Sequence, residues 1–249
     1  MKYEPKLATI LSSPDDQLPI TELFYSVQGE GRFAGFPAVF VRLKFCNLGC
    51  SWCDTRFSWD KDRIEPGEQL TITEIADRAA RLRPAAGTKP ADVHVVLTGG
   101  EPMLHQAGIP RLVEAFRLHG FSFFEIETNG TIVPTDGMLE AISWWNCSPK
   151  LSNNSLSADV NLVPEALRRI ASGGKADFKF VVRSEEDVLE LVRTIQPHLP
   201  PGAIWLMPEG TTARRQLELT PEIMSLCVKY GYRFSPRLHI LAWGNERAR

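Results

Sequence analysis

The 249-residue chain has no excess of either charge: 28 Lys and Arg face 30 Asp and Glu, a formal net charge of −2. That balance leaves no basic footprint for a polyanion, so nucleic acid binding is not expected. Apolar runs long enough to span a bilayer are missing too. The opening stretch, MKYEPKLATILSSPDD, lacks an apolar segment followed by a small-residue cleavage site. Cytoplasmic residence is therefore expected, where thiols stay reduced and the five cysteines serve as ligands or free thiols. No Gly-rich dinucleotide fingerprint follows the first strand-like run, which argues against a Rossmann variant. Nor is there a low-complexity stretch: 43% hydrophobic and 23% charged residues are the proportions of a globular protein. A chain of this length buries its core in one domain. We take residues 1–249 as a single unit, with 1–19 a polar extension and 233–249 a C-terminal strand and tail.

What the sequence does have is Cys46, Cys50 and Cys53 at C-x3-C-x2-C spacing, in the stretch KFCNLGCSWCDTRFSWD that follows the strand-like run AVFVRL. A loop this short aims three sulfurs at one centre, and an odd thiol would be left over from any disulfide. Three thiolates are one short of the usual four at a structural zinc or an iron–sulfur cluster. No histidine or cysteine nearby completes the set, so one coordination position stays open for a non-protein ligand. A zinc site with a remote fourth ligand and three inert core cysteines are the alternatives. The first normally brings a second short-spaced pair, and the second fits poorly with a glycine-bearing loop beside Asp54 and Arg56.

Along the chain, strand patterns near residues 38–43, 93–97, 121–126, 144–147, 177–182, 203–207 and 232–241 alternate with helical ones. Such repetition predicts a parallel sheet with crossover helices. The glycine-rich stretch VQGEGRFAG reads as a hairpin turn before the first of these strands. Residues 61–70 read as a charged loop, and Thr71 with Glu74 forms a capping box for a helix over 71–83. Thr220 and Pro221 read as N-cap and N1 of the last helix. TGGEP at Thr98–Pro102, ETN at Glu127–Asn129 and SPK at Ser148–Lys150 each stand just beyond a strand, on the face where α/β barrels place their sites. Arg42, a guanidinium on an apolar strand, requires an anion and suits a carboxylate. Lys179 is as compatible with a snorkelling surface lysine as with a cavity. His239, among apolar neighbours, reads as a core group.

The three-cysteine string with Trp52 before its last member resembles the signature of radical S-adenosylmethionine (SAM) enzymes. VQGEGRFAG upstream and CDT at Cys53–Thr55 narrow the resemblance to the 7-carboxy-7-deazaguanine synthases of queuosine and 7-deazapurine biosynthesis. It covers most of the chain. It implies an α/β fold, a partial open (β/α)6-type barrel of the radical SAM class with some helices shortened. It also implies a 4Fe–4S cluster on Cys46, Cys50 and Cys53. SAM contacts would come from Trp52, Cys53, Asp54, Gly100, Glu101, Glu127, Ser148, Pro149 and Lys150. Substrate contacts would come from Val27, Gln28, Gly29, Arg42 and Thr98, and a Mg2+ contact from Thr55. Met207–Gly210 lies where some relatives carry a further SAM contact. The activity implied is a lyase reaction in which a 5′-deoxyadenosyl radical takes hydrogen from 6-carboxy-5,6,7,8-tetrahydropterin, ring contraction expels ammonia, and SAM is regenerated. An electron donor such as flavodoxin or ferredoxin and a homodimer are implied as partners. Two other classes stay open on the residues alone: a different radical SAM enzyme, such as a glycyl-radical activase, and a zinc-binding module without catalysis.

Overall fold

The structure, a computed structural model, describes residues 16–82 and 87–249. Strand β1 (Gln17–Val27) turns through VQGEGRFAG into β2 (Pro37–Leu43) as an antiparallel pair, and β3 (Glu68–Thr71) pairs with the other side of β1. From β2 onward every addition is parallel: β4 (His94–Gly99), β5 (Phe123–Thr128), β6 (Trp144–Cys147), β7 (Ala176–Val182), β8 (Ile204–Pro208) and β9 (Arg233–Phe234). Among the described residues the sheet runs β3-β1-β2-β4-β5-β6-β7-β8-β9, an open order with β3 and β9 as edges and no closure into a barrel.

Parallel neighbours need crossovers, and helices α1 (Ile72–Leu82), α2 (Ile109–Leu118), α3 (Asp136–Ala141), α4 (Ala158–Asn161), α5 (Pro164–Ala171), α6 (Glu185–Thr194) and α7 (Ala213–Tyr230) occupy them, with α8 (Leu238–Trp243) at the end. The strands alternate with period two. One set, Val39, Val41, Leu43, Val95, Leu97, Phe124, Ile126, Trp145, Phe178, Phe180 and Leu206, joins a single apolar core with helix residues such as Ile75, Leu112, Phe116, Leu167, Leu191 and Ile223. The intervening residues, including Arg42, Thr98, Glu125, Glu127, Asn146 and Lys179, face the opposite, concave side. There, among the described residues, no helix layer covers the sheet. Instead the β1–β2 turn and the segment after β9 fold in and meet: Gly31 N–H donates to Ser235 Oγ (2.8 Å), and Leu238 N–H to the Gly29 carbonyl (2.9 Å).

Several expectations change. Residues 17–19 belong to β1 rather than to a polar extension; residues 1–15 lie outside the described ones. The tail of residues 61–70 supplies β3, because β1 offers it an open antiparallel edge. The strand expected over 232–241 stops at Phe234. Pro236 has no N–H for a ladder, and Leu238–Trp243 is helical. The last long helix begins at Ala213, where Thr212 Oγ1 accepts from Arg215 N–H (3.2 Å), and Pro221 sits inside it. The carbonyl that Pro221 cannot serve belongs to Leu217, on the exposed side of the helix. The capping box of α1 is present: Glu74 N–H donates to Thr71 Oγ1 (3.2 Å) and Thr71 N–H to Glu74 Oε2 (2.8 Å).

Candidate active site

The cysteine loop leaves β2 and is laid directly on the end of β4. A Cβ on Gly99 would stand 2.1 Å from the Leu43 carbonyl oxygen, and one on Gly100 2.1 Å from that of Phe45. Only glycines let these backbones touch. Gly100 N–H then donates to the Leu43 carbonyl (3.1 Å) and Glu101 N–H to that of Phe45 (2.7 Å). The Glu101 carboxylate is buried and fully engaged, accepting from Met103 N–H (2.9 Å), Thr128 Oγ1 (2.8 Å) and Asn129 N–H (2.7 Å). It ties the ends of β4 and β5 under the loop. Burial raises its pKa against these bonds.

Each cysteine sulfur accepts one N–H: Cys46 from the Leu48 backbone (3.4 Å), Cys50 from Asn154 Nδ2 (3.5 Å) and Cys53 from Trp59 Nε1 (3.2 Å). Burial pushes the Cys46 and Cys50 thiols above their ordinary range, so a bound metal group would have to supply the charge that makes them thiolates. Cys147 and Cys227 are buried elsewhere as free thiols.

Below the loop, charged groups alternate across the concave face. Lys179 is fully buried, with Nζ 2.8 Å from Glu127 Oε2 and 3.0 Å from Glu30 Oε2. Arg237 donates through Nε to Glu30 (2.9 Å), through Nη1 to the Gly210 carbonyl (2.8 Å) and through Nη2 to Asp54. Gln28 Nε2 bridges Glu125 (3.1 Å) and Glu127 (3.2 Å), while Glu125 also takes Asn146 Nδ2 (2.7 Å) and His94 Nδ1 (2.6 Å). Burial would raise Glu30, but Lys179 and Arg237 outweigh it and hold the carboxyl far below the usual range. Glu127 goes the other way. Burial, with the negative charge of Glu30, pushes it up to about 7 against the pull of Lys179. Burial lowers His239.

Of these groups, Gln28, Glu30, Asp54, Glu127, Lys179, Arg237 and His239 line one cavity of ≈ 290 Å3 at the C-terminal ends of the parallel strands, whereas Glu125, Asn146 and His94 stand outside its lining. Of the residues singled out from sequence, Val27, Gln28, Gly29, Arg42, Cys46, Cys50, Trp52, Cys53, Asp54, Thr55, Thr98, Gly100, Glu127, Ser148 and Lys150 line it. So do Met207 and Gly210. Glu101 and Pro149 do not. Several of the lining groups already have protein partners: Asp54 is held by Arg237, and Arg42 Nε by Glu22 (2.6 Å). Lys150 Nζ donates to Ser148 Oγ (2.9 Å) and lies 5.4 Å from the Trp52 ring centre. Thr55 Oγ1 is 3.5 Å from Cys53 Sγ.

Sequence reasoning missed Glu30 and Glu125, left Lys179 undecided and took His239 for a core group, whereas it lines the cavity beside Gly29. The signal for Glu125 was its period-two relation to Glu127 in FFEIET, which puts both on one face. Nothing local marks Glu30 or His239, which enter the cavity only because the β1–β2 turn and the start of α8 fold inward.

The donor set fits an iron–sulfur cluster. Three sulfurs border one cavity with an N–H aimed at each, the usual support for ligating thiolates. Among the described residues no three His, Cys, Asp or Glu side chains converge tightly enough to share a single ion.

Comparison with known proteins agrees. The sequence model of the Radical SAM superfamily matches residues 40–211. The 7-carboxy-7-deazaguanine synthase of Pyrobaculum aerophilum is 37% identical over 239 residues, 95% of this chain and 100% of that one. That of Hyperthermus butylicus is 36% identical, covering 90% and 92%. The crystal structure of QueE from Escherichia coli superposes with a TM-score of 0.66 at 28% identity, covering 90% of this chain and 95% of that one. The fold and the site thus define a radical SAM protein, with SAM and a 4Fe–4S cluster as its cofactors. Within that superfamily, the chain belongs to the 7-carboxy-7-deazaguanine synthase family.

Proposed function

We propose that this protein converts 6-carboxy-5,6,7,8-tetrahydropterin to 7-carboxy-7-deazaguanine with loss of ammonia, using SAM as a regenerated cofactor. The reading rests on one observation above all. The cysteine loop opens onto a cavity whose floor is the charged ladder of Glu30, Lys179, Glu127 and Gln28, a surface built for a small polar heterocycle. When bound, the cluster and SAM supply a one-electron cleavage and the hydrogen abstraction that starts ring contraction.

The chain's own residues hold and shield the reactants. Cys46, Cys50 and Cys53 hold the cluster. Gly100, Glu127, Ser148, Lys150 and Trp52 border the place for SAM, with the Glu127 carboxylate available to ribose hydroxyls. Glu101, Pro149 and Asp54 act by fixing the loops around it. Arg42 keeps both terminal nitrogens without a hydrogen-bond partner among the described residues, and we assign them to the substrate carboxylate. Val27, Gln28, Gly29 and Thr98 line the pterin position. Thr55 offers a hydroxyl for Mg2+, an ion that suits oxygen donors and keeps several waters, so substrate and water would complete its shell. The segment Ser235–His239 covers one side and limits water entry.

An electron donor such as flavodoxin or ferredoxin, a homodimeric state and a cytoplasmic location complete the proposal. Among the described residues no helix is long and apolar enough to cross a membrane. The test is an anaerobic assay of reconstituted protein with SAM, a reductant, Mg2+ and the pterin. Stoichiometric 7-carboxy-7-deazaguanine and ammonia are expected. Reductive cleavage of SAM with the pterin left intact would assign the site to another radical SAM reaction.

A further inference from the structure

The cysteine loop carries a feature that ligand spacing does not require: each sulfur has its own N–H donor, and two of the three donors are side chains. The indole N–H of Trp59 can only donate, and it points at Cys53 Sγ at 3.2 Å. Asn154 is completely buried. Its amide orientation is fixed, because Oδ1 accepts from the Leu156 backbone N–H (2.8 Å) and from Asn161 Nδ2 (3.0 Å). Nδ2 then completes the reciprocal pair by donating one hydrogen to Asn161 Oδ1 (2.8 Å) and turns the other toward Cys50 Sγ (3.5 Å). The same turn is anchored to the loop by Ser51 N–H donating to the Asn154 carbonyl (3.0 Å). Ser155, at φ 68, takes the left-handed conformation that ends the turn.

A sulfur that accepts a hydrogen bond donates less electron density to its iron. That stabilises the reduced, more negative form of the cluster and raises the reduction potential. The strength of the effect depends on a fixed, partly water-free geometry, which the full burial of Asn154 and the partial burial of the rigid indole provide. We propose that Trp59 and Asn154 are positioning residues that set the reduction potential of the 4Fe–4S cluster through N–H···S bonds to Cys53 and Cys50. The proposal rests on the assignment of the three cysteines as cluster ligands. It adds a role for two residues that need not touch SAM or substrate to act. Trp59 is the stronger contributor, since its contact is shorter and its single N–H is directed at sulfur, whereas the Asn154 amide divides its two hydrogens between sulfur and Asn161.

The experiment is a potentiometric titration, followed by electron paramagnetic resonance, of anaerobically reconstituted holoenzyme without SAM. Wild type, Trp59→Phe and Asn154→Leu are compared, with iron and sulfide counted per chain in each. Trp59→Phe, which keeps an aromatic ring and removes only the donor, is expected to retain full iron and sulfide while its midpoint moves to more negative potential. Asn154→Leu is expected to move it the same way by less. A resonance Raman comparison of wild type in H2O and D2O provides a readout that needs no variant to fold: the iron–thiolate stretches are expected to shift on exchange of the donated hydrogens. An unchanged midpoint in fully loaded Trp59→Phe, or no isotope shift in wild type, would overturn the proposal while leaving the ligand assignment intact. A wild-type protein that binds no iron and sulfide would instead overturn the ligand assignment.

Discussion

The two faces of the sheet share the same strands and could hardly differ more. On the convex face, alternate residues of the parallel strands such as Val39, Val95, Leu97, Phe124, Ile126 and Phe178 are aliphatic or aromatic and join the helices in one core. On the concave face, the alternate positions carry Arg42, Thr98, Glu125, Glu127, Asn146 and Lys179, all at least partly buried and most of them hydrogen-bonded or ion-paired. Burying so many charged groups is costly even when they are paired. Stability would be better served by apolar residues there. One face thus holds the fold together, while the other carries buried charge at a cost in stability that the proposed ligand binding would explain, with adjacent residues such as Phe178 and Lys179 divided between the two.

Variants sort themselves along that division. The largest functional effect is expected from Cys50→Ala, which should abolish cluster assembly and SAM cleavage while the circular dichroism spectrum stays that of the wild type; iron counting checks it. The largest structural effect lies on the convex face. Phe178→Ala empties a fully buried site and should lower unfolding free energy by about 3–5 kcal/mol, read from denaturant midpoints. The fraction that remains folded should keep its cluster. Arg42→Ala comes next. Losing hydrogen bonds to a charged group, about 1.5–3 kcal/mol, should raise KM for the pterin about tenfold to a hundredfold with iron content unchanged. A rise in KM as large in Phe178→Ala would break the contrast between the faces.

Glu127 gives the distinction a pH signature. Its folded pKa of about 7 lies above the ordinary carboxylate value, so between those two values the folded state holds a proton that the unfolded state has released. Its contribution to stability is therefore present at low pH and is lost as pH rises toward 7. In the cofactor-free protein, wild type should lose stability relative to Glu127→Gln over this window. Denaturation at pH 5 and pH 7.5 measures the difference, and a gain for wild type would contradict the stated direction. The smallest effect is expected from Thr98→Val, which removes one hydroxyl from the concave face: KM rises severalfold, in keeping with about 1 kcal/mol for a neutral hydrogen bond, and stability hardly changes.

Much of this was readable from the amino-acid order. The parallel strands announced themselves as apolar runs, and the cysteine spacing pointed to a metal group with an open position. TGGEP was legible as a place of close approach, though what approaches the two glycines is backbone, the end of β2 at Gly99 and the start of the cysteine loop at Gly100. The inward-folded pieces were hidden. Glu30 sits in a turn without periodicity and His239 in the first turn of the short terminal helix, and they reach the cavity through contacts spanning about the whole chain, such as Gly31 to Ser235. The helical end of the chain was misread because the apolar run after Pro236 fits a strand as well as a helix, and the proline decides against the ladder. Pro221 was taken for a helix start because an exposed helix face that tolerates a missing N–H cannot be told from a terminus without seeing Leu217 exposed.

The central claim is that SAM and a carboxylated tetrahydropterin meet in one cavity, above the charged face and below the cysteine loop. It is tested most directly with substrate deuterated at the carbon from which hydrogen is taken, turned over anaerobically with unlabelled SAM. On the proposed function the cofactor is regenerated in the same cavity, so recovered SAM should carry deuterium as product accumulates. Product formed while SAM stays unlabelled, or SAM consumed in proportion to product, would contradict the account.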